Sequence, residues 1–347
     1  MLVLMNNKSS VIGNNEKSVL MENFIKIYAA ILIFFGIPFN SFVLHILRKD
    51  ISNRNTTRFL MILLAVADNA VLLTGVLRYW VRATFKYDIR HFSNIACKGH
   101  GFLVSVSSDC AIGFLCSIAV ERFLVVSYPN QSKTLVTMVT VICGISGFVL
   151  GVILKNSCIL WLYQLHLTNN KTDEKLALFE CRPQLDSGLW KFFQKLDFIT
   201  YAILPYVILF FCNIYIYFRL KQQHKALRNN QKLKIKNSDA SSGLESQIKP
   251  IVKRNKKRRT EHIVKVLTAL SLIHAITTLP AAIYQAMKSR IGVNKNQYMH
   301  TIIHENLLLL MFTNNAINIF AYLFSSISFR QQFFKIITRE VDIPIAR

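Results

Sequence analysis

Ionisable side chains are rare inside the long apolar stretches of this sequence, so each one found there is a candidate for chemistry. Asp68 closes the run Leu64-Ala65-Val66-Ala67, Asp109 follows Ser107-Ser108, and Glu121-Arg122-Phe123 ends another apolar run. Arg78 and Glu305 lie near the ends of two more. An ion in such surroundings must find a partner or line a polar cavity, which suits recognition and conformational switching. Bond-making chemistry has no foothold: no nucleophile and base pair, phosphate-binding loop or metal-ligand spacing occurs, so no enzyme and no cofactor are expected. Of seven cysteines, Cys110, Cys116, Cys143, Cys158 and Cys212 lie in or beside apolar runs and read as small buried hydrophobes. Cys97 and Cys181 fall in polar segments between runs, and an extracellular location for both would permit a disulfide.

The elements that position these residues follow from composition. With 52% hydrophobic and 17% charged residues among 347, and a positive mean hydropathy, the chain has more apolar surface than one soluble core uses. Seven runs are long enough to cross a bilayer: Phe24 to Leu47, Phe59 to Val81, Phe102 to Val126, Leu135 to Leu154, Phe198 to Leu220, Ile263 to Met287 and Ile302 to Phe324. In lipid each must be helical, and nothing alternates as barrel strands do. The expected fold is an all-α seven-helix bundle, residues 24–326, between an outer segment 1–23 and a tail 327–347. The start, apolar for only five residues, is too short for a signal peptide's hydrophobic region.

Charge sets the orientation. The net +24 concentrates between the fifth and sixth runs, in 221–259, and above all in Lys253 to Arg259. Such a cluster beside a membrane span marks the cytoplasmic side rather than a nucleic-acid site. The amino terminus is then outside, with sequons at Asn7 and Asn170 on outer segments as candidate glycosylation sites. The polar stretch from Asn229 to Ile248 reads as a loose loop. No internal or inverted repeat of a transporter is visible.

Across all seven runs the chain resembles a rhodopsin-like G-protein-coupled receptor. The resemblance is carried by Asn40, Asp68, Cys97, Glu121-Arg122-Phe123 with Tyr128-Pro129, Pro205, Pro280, Asn318 with Tyr322, and Ser328-Phe329-Arg330. It implies a Cys97–Cys181 disulfide, an amphipathic eighth helix with Phe329, Phe333 and Phe334 inward, and a plasma-membrane location. It also implies an acid at Asp68 joined to Asn314 and Asn318 around water and sodium; Ala111 replaces the usual third-helix hydroxyl, and a protonated or water-bonded Asp68 is the other reading. Glu121 beside Arg122 resembles the family's exchangeable switch, with Phe123 for the usual tyrosine, and Tyr322 resembles the tyrosine that moves on activation. Departures are Ile319 for a proline, which implies a straighter seventh helix, and Thr278 for the aromatic before Pro280.

The ligand end is read from the same resemblance. Val104 stands where amine receptors carry their acid, and Phe312 where opsins carry a retinal lysine, so a monoamine and retinal are disfavoured. The short amino-terminal segment also leaves no large ligand-binding domain. Asp109 either contacts a cationic ligand group or bonds Ser105, Ser108 or the network of Asp68. Arg78, Tyr79, Val104, Ser108, Asp109, Tyr284, Gln285 and Glu305 form the candidate ligand set; Trp80 is equally an interfacial aromatic. The expected function is a receptor for a short neuropeptide coupled to a heterotrimeric G protein. A small non-amine ligand or lipid, or a receptor-like protein without signalling, is the alternative.

Overall fold

A computed structural model describes residues 2–49, 55–168, 178–184, 188–236, 268–285, 287, 297–325 and 327–338. Five helical stretches are long and apolar enough to cross a membrane, Val19–Arg48, Thr56–Phe85, Asn94–Ser127, Met138–Leu162 and Gly188–Gln222, and a bent pair, Ile302–Ala316 with Asn318–Phe324, adds a further span. Residues 268–285 are also helical, which completes seven. The inside of the bundle is apolar and tightly buried, with Ile46, Leu60, Leu72, Ile118, Leu309 and Ile319 all under 2% exposed. Its outside is apolar too: Phe34, Phe210, Phe211 and Phe324 are more than 60% exposed. That surface suits lipid, where every backbone group is satisfied within its own helix.

Several boundaries differ from expectation for local reasons. The first helix runs Leu2–Lys49, well into the segment read as an outer tail, because no proline interrupts it before Pro38. The fourth begins at Met138 rather than Leu135, since Thr137 caps it through its hydroxyl and a separate turn, Ser132–Leu135, precedes it. It extends to Ser157 and so includes Lys155 and Asn156, which the expected end at Leu154 left outside. The fifth comprises Gly188–Asp197, a π-helical turn Phe198–Ile203 and Leu204–Lys236. Part of the stretch expected to be a loose loop is thus helical as far as Lys236; Lys253 to Arg259 lie outside the described residues. A second π turn, Leu72–Val76, interrupts the second helix.

The seventh helix bends by 43° at Ile317 although Ile319 replaces the proline, correcting the straighter helix expected. The amide of Ile317 still bonds the Thr313 carbonyl at 3.2 Å, whereas that of Phe320 turns to Ile317 at 3.0 Å, a tightened turn that bends the axis without a proline. The eighth helix, Ile327–Ile337, buries Phe329 against Tyr322 and packs Phe333 against Phe42, while Phe334 is 58% exposed and so is not part of the inward set.

Gly36 shows how closely the spans approach. A Cβ there would lie 2.8 Å from Ala316 Cβ and 3.1 Å from Ala316 Cα. Gly36→Val is therefore expected to force the first and seventh helices apart and cost about 1–3 kcal/mol, the usual penalty of overpacking. Thermal unfolding in detergent checks this, with Gly147→Val, whose Cβ meets nothing within 4 Å, as the neutral control.

Candidate functional site

One end of the bundle is closed by a hairpin, β1 Tyr163–Thr168 and β2 Leu178–Pro183, antiparallel with Leu165 opposite Cys181. Cys181 is bonded to Cys97 near the start of the third helix, with the two Cα atoms 5.6 Å apart. The hairpin is thereby fixed above a cavity of about 320 Å³. Cys181→Ser should release β2 and free the unfolded chain, lowering stability by about 2–4 kcal/mol. Surface labelling of intact cells and the unfolding midpoint would both fall.

The cavity wall includes Arg78, Tyr79, Val104, Ser108, Asp109 and Gln285 from the expected ligand set. Among the described residues, the buried Ser108 Oγ has no hydrogen-bond partner. Tyr284 and Glu305 are not in the wall. Tyr284 packs on His304, which is, and Glu305 is held 2.5 Å from Arg82. Arg78 reaches outward to Asp88 at 2.7 Å, and Arg90 holds the same carboxylate at 2.9 Å. Burial pushes the Asp88 carboxyl upward, but the hydrogen bonds and charges of Arg78 and Arg90 outweigh it and hold the group well below the usual carboxylate range. Stability from this cluster is thus present above an ordinary carboxylate pKa and lost only as pH falls through the lowered folded value. Sequence inspection missed Asp88 and Arg82, although both follow Arg78 closely in the sequence.

Asp109 has partners other than those expected. It faces neither Ser105 nor the Asp68 network; Lys155 Nζ stands 2.8 Å from Asp109 Oδ2, and Asn156 Nδ2 donates to the same oxygen at 2.6 Å. Lys155 also meets Asp197 at 2.7 Å and donates to Thr200 at 3.2 Å. Third, fourth and fifth helices are joined by this cluster, and Asp109 and Asp197 both line the cavity. Its floor carries Thr278, whose hydroxyl meets that of Tyr206, and the Tyr206 ring lies 5.5 Å from His274. At Thr278, where the resemblance leads to an aromatic, a hydrogen bond thus stands in place of a ring contact. Thr277 and Thr278 also bond the carbonyls of Ile273 and His274 in the turn before Pro280. Phe312 is buried against Tyr79 and covers Gly75.

Below the cavity, Asp68 is 1% exposed and accepts from Asn315 Nδ2 at 2.8 Å and Asn318 Nδ2 at 2.6 Å. Asn315, not Asn314, is the partner. Both stand within one turn of Asn318 and either spacing shares a helix face, so the break at Ile317 decides between them. Asn40 donates to the Asn315 carbonyl at 2.8 Å, tying in the first helix. Amide donors thus reach both carboxylate oxygens, and Ala111 offers no side-chain oxygen beside them.

At the opposite end of the third helix, Arg122 Nε lies 3.1 Å from Glu121 Oε2, and the two side chains are only 5% and 3% exposed. Thr57 donates to both Glu121 oxygens at 3.1 and 3.0 Å, Thr56 donates to one at 3.0 Å, and Arg122 also meets Thr57. The pair is therefore buried and braced by the second helix. Phe123 packs edge-on to Tyr215 with centroids 4.9 Å apart, and Tyr322 is buried against Phe329. Asn170 lies outside the described residues, as does the side chain of Asn7.

Comparison with known proteins fits this geometry. Residues 39–322 match the 7 transmembrane receptor (rhodopsin family) description. A neuromedin U receptor homolog of Caenorhabditis elegans is 31% identical over 88 residues, 25% of this chain and 22% of that protein. Lysophosphatidic acid receptor 6 of Homo sapiens is 28% identical over 179 residues, 52% of this chain and 50% of that one. Cysteinyl leukotriene receptor 1 of Homo sapiens is 28% identical over 206 residues, 57% of each. These matches span from about a fifth to somewhat over half of the relatives' lengths. With a family match that takes in the Asp68 centre, the Glu121–Arg122 pair and Tyr322 together, the chain belongs to the rhodopsin family of seven-transmembrane receptors.

Proposed function

We propose that this chain carries the arrival of an extracellular ligand to a heterotrimeric G protein, and that the ligand is a short peptide. The family is not enzymatic, so signalling is the activity to test. One observation supports the reading above others: the third helix lines the ligand-sized cavity at Val104, Ser108 and Asp109 and carries the buried Glu121–Arg122 pair further along. A ligand that binds better to the arrangement in which that pair separates would shift the population toward it. The amino terminus lies outside and the basic 221–259 segment inside, beside the G protein. Candidate ligand residues are Arg78, Tyr79, Ser108, Asp109 and Gln285, joined by Asp197 and Tyr201.

The peptide reading is favoured by ionisable wall residues of both signs, Arg78 against Asp109 and Asp197, beneath a pinned hairpin, and by the likeness to a neuromedin U receptor homolog. A lipid acid is the second reading, favoured by Trp190, Phe193 and Phe198 in the same wall as Arg78, and by the names of two other relatives. Cells expressing the chain, exposed in parallel to neuropeptide and lysophospholipid libraries with calcium and cyclic-nucleotide readouts, distinguish them. Responses to lipids alone would overturn the peptide assignment. No nucleotide exchange on any purified G protein, with ligand bound, would overturn signalling itself.

A further inference from the structure

A second hollow lies on the outside of the bundle, where the third, fourth and fifth helices fail to close on one another. Its volume is about 840 Å³, within the range of a small-molecule site. The third helix supplies Gly113 and Cys116 to it, the fourth Gly144 and Gly151, the fifth Leu204 and Pro205. The gap opens beside the π turn Phe198–Ile203. From Asp109 to Leu124, both in its wall, the groove follows the third helix for about 22 Å. That exceeds the roughly 15 Å of one leaflet, half of a hydrocarbon core about 30 Å thick.

The glycines indicate what the hollow excludes and admits. Gly144 and Gly151 lie two turns apart on one face, and a Cβ on either would meet nothing within 4 Å. Glycine weakens a helix interior relative to alanine, and no partner among the described residues requires either one. Their missing side chains instead leave the groove wide enough for a flexible apolar chain. The two ends differ in charge. At one, Lys155 has its three protons engaged by Asp109, Asp197 and Thr200, so it offers no donor to a head group and the end is closed. The other opens at Leu135, Val136 and Thr140, where the exposed Lys133 shares the turn Ser132–Leu135 with Leu135 and the amino-terminal end of the fourth helix follows, with its positive dipole.

We propose that this groove is a binding site for one acyl chain of an anionic phospholipid, whose head group rests at Lys133 and the start of the fourth helix. The orientation given under the proposed function decides only that the lipid comes from the cytoplasmic leaflet. Seated there, the chain lies beneath Asp109, which also faces the ligand cavity, and beside Glu121 of the switch.

The full chain in phosphatidylcholine nanodiscs, doped with a phosphatidylserine bearing a diazirine in its acyl chain, tests this by cross-link mapping. Labelling of the Gly113–Val120 and Gly144–Val152 stretches should saturate as the probe fraction rises, while labelling at Phe210 and Phe211 should grow in proportion to it. A matched phosphatidylcholine probe should label the groove roughly fivefold less, the scale of one lysine beside an anionic lipid. Lys133→Glu, which leaves the groove untouched, should erase that preference, and Gly144→Phe with Gly151→Phe should remove the saturable component. Proportional labelling at the groove, equal labelling by the two probes, or a loss of labelling explained by two copies associating through the fourth helix would each overturn the site. None of these readouts needs a ligand or a G protein, so failure here leaves the receptor reading standing and the reverse also holds.

Discussion

Arg122→Ala is expected to reduce ligand-stimulated nucleotide exchange by on the order of a hundredfold, the factor given by loss of a charge-assisted contact worth about 2–3 kcal/mol. Surface expression should remain. The reason lies in what the substitution leaves behind. Removing one member of a buried ion pair usually strands the other, but Glu121 would keep the hydroxyls of Thr56 and Thr57, which already donate to it. Fold and coupling are therefore separable at this position. Arg122→Lys should recover only part of the exchange, because an ammonium keeps the charge and loses the planar fork. Thr57→Val weakens the brace on the resting pair and should raise ligand-independent exchange. An Arg122→Ala protein that is expressed at the surface and signals normally would remove the pair from the mechanism.

The parts of this architecture that could be read from the sequence are those set by one-dimensional patterns. Seven apolar runs of spanning length fix the number of helices, because lipid permits no other backbone. Cys97 and Cys181 stood out because they interrupt polar segments. Partnerships across helices were harder. Asp68 had to find a donor, yet Asn314 and Asn315 are equally placed by spacing, and a bend without proline chose the second. Arg78 and Glu305 had to find counter-ions, but the choice of Asp88 and Arg82 depends on how far the second helix runs before Lys86 ends it in a left-handed conformation, φ 57°. The protein partners of Asp109 were missed for a related reason. Ending the fourth span at Leu154 placed Lys155 outside the bundle, whereas the helix runs on to Ser157 and so includes both Lys155 and Asn156.

That last cluster yields the largest expected effect on stability. Lys155→Met leaves Asp109 with a single amide donor in a membrane interior, and breaking a pair this buried costs about 3–5 kcal/mol. Asp197, 42% exposed at its side chain, can turn to solvent and adds little to the loss. The double substitution Asp109→Asn with Lys155→Met removes the stranded charge, and the neutral amide it introduces can share hydrogen bonds with Asn156. It should recover more than half of what the single change loses, so the two changes are strongly non-additive. Unfolding midpoints of the four proteins in detergent, compared as a double-mutant cycle, measure the coupling directly. If Lys155→Met alone were as stable as the parent chain, Asp109 would have to be neutral in the folded bundle, and the ion pair between the third and fourth helices would not be what holds them together.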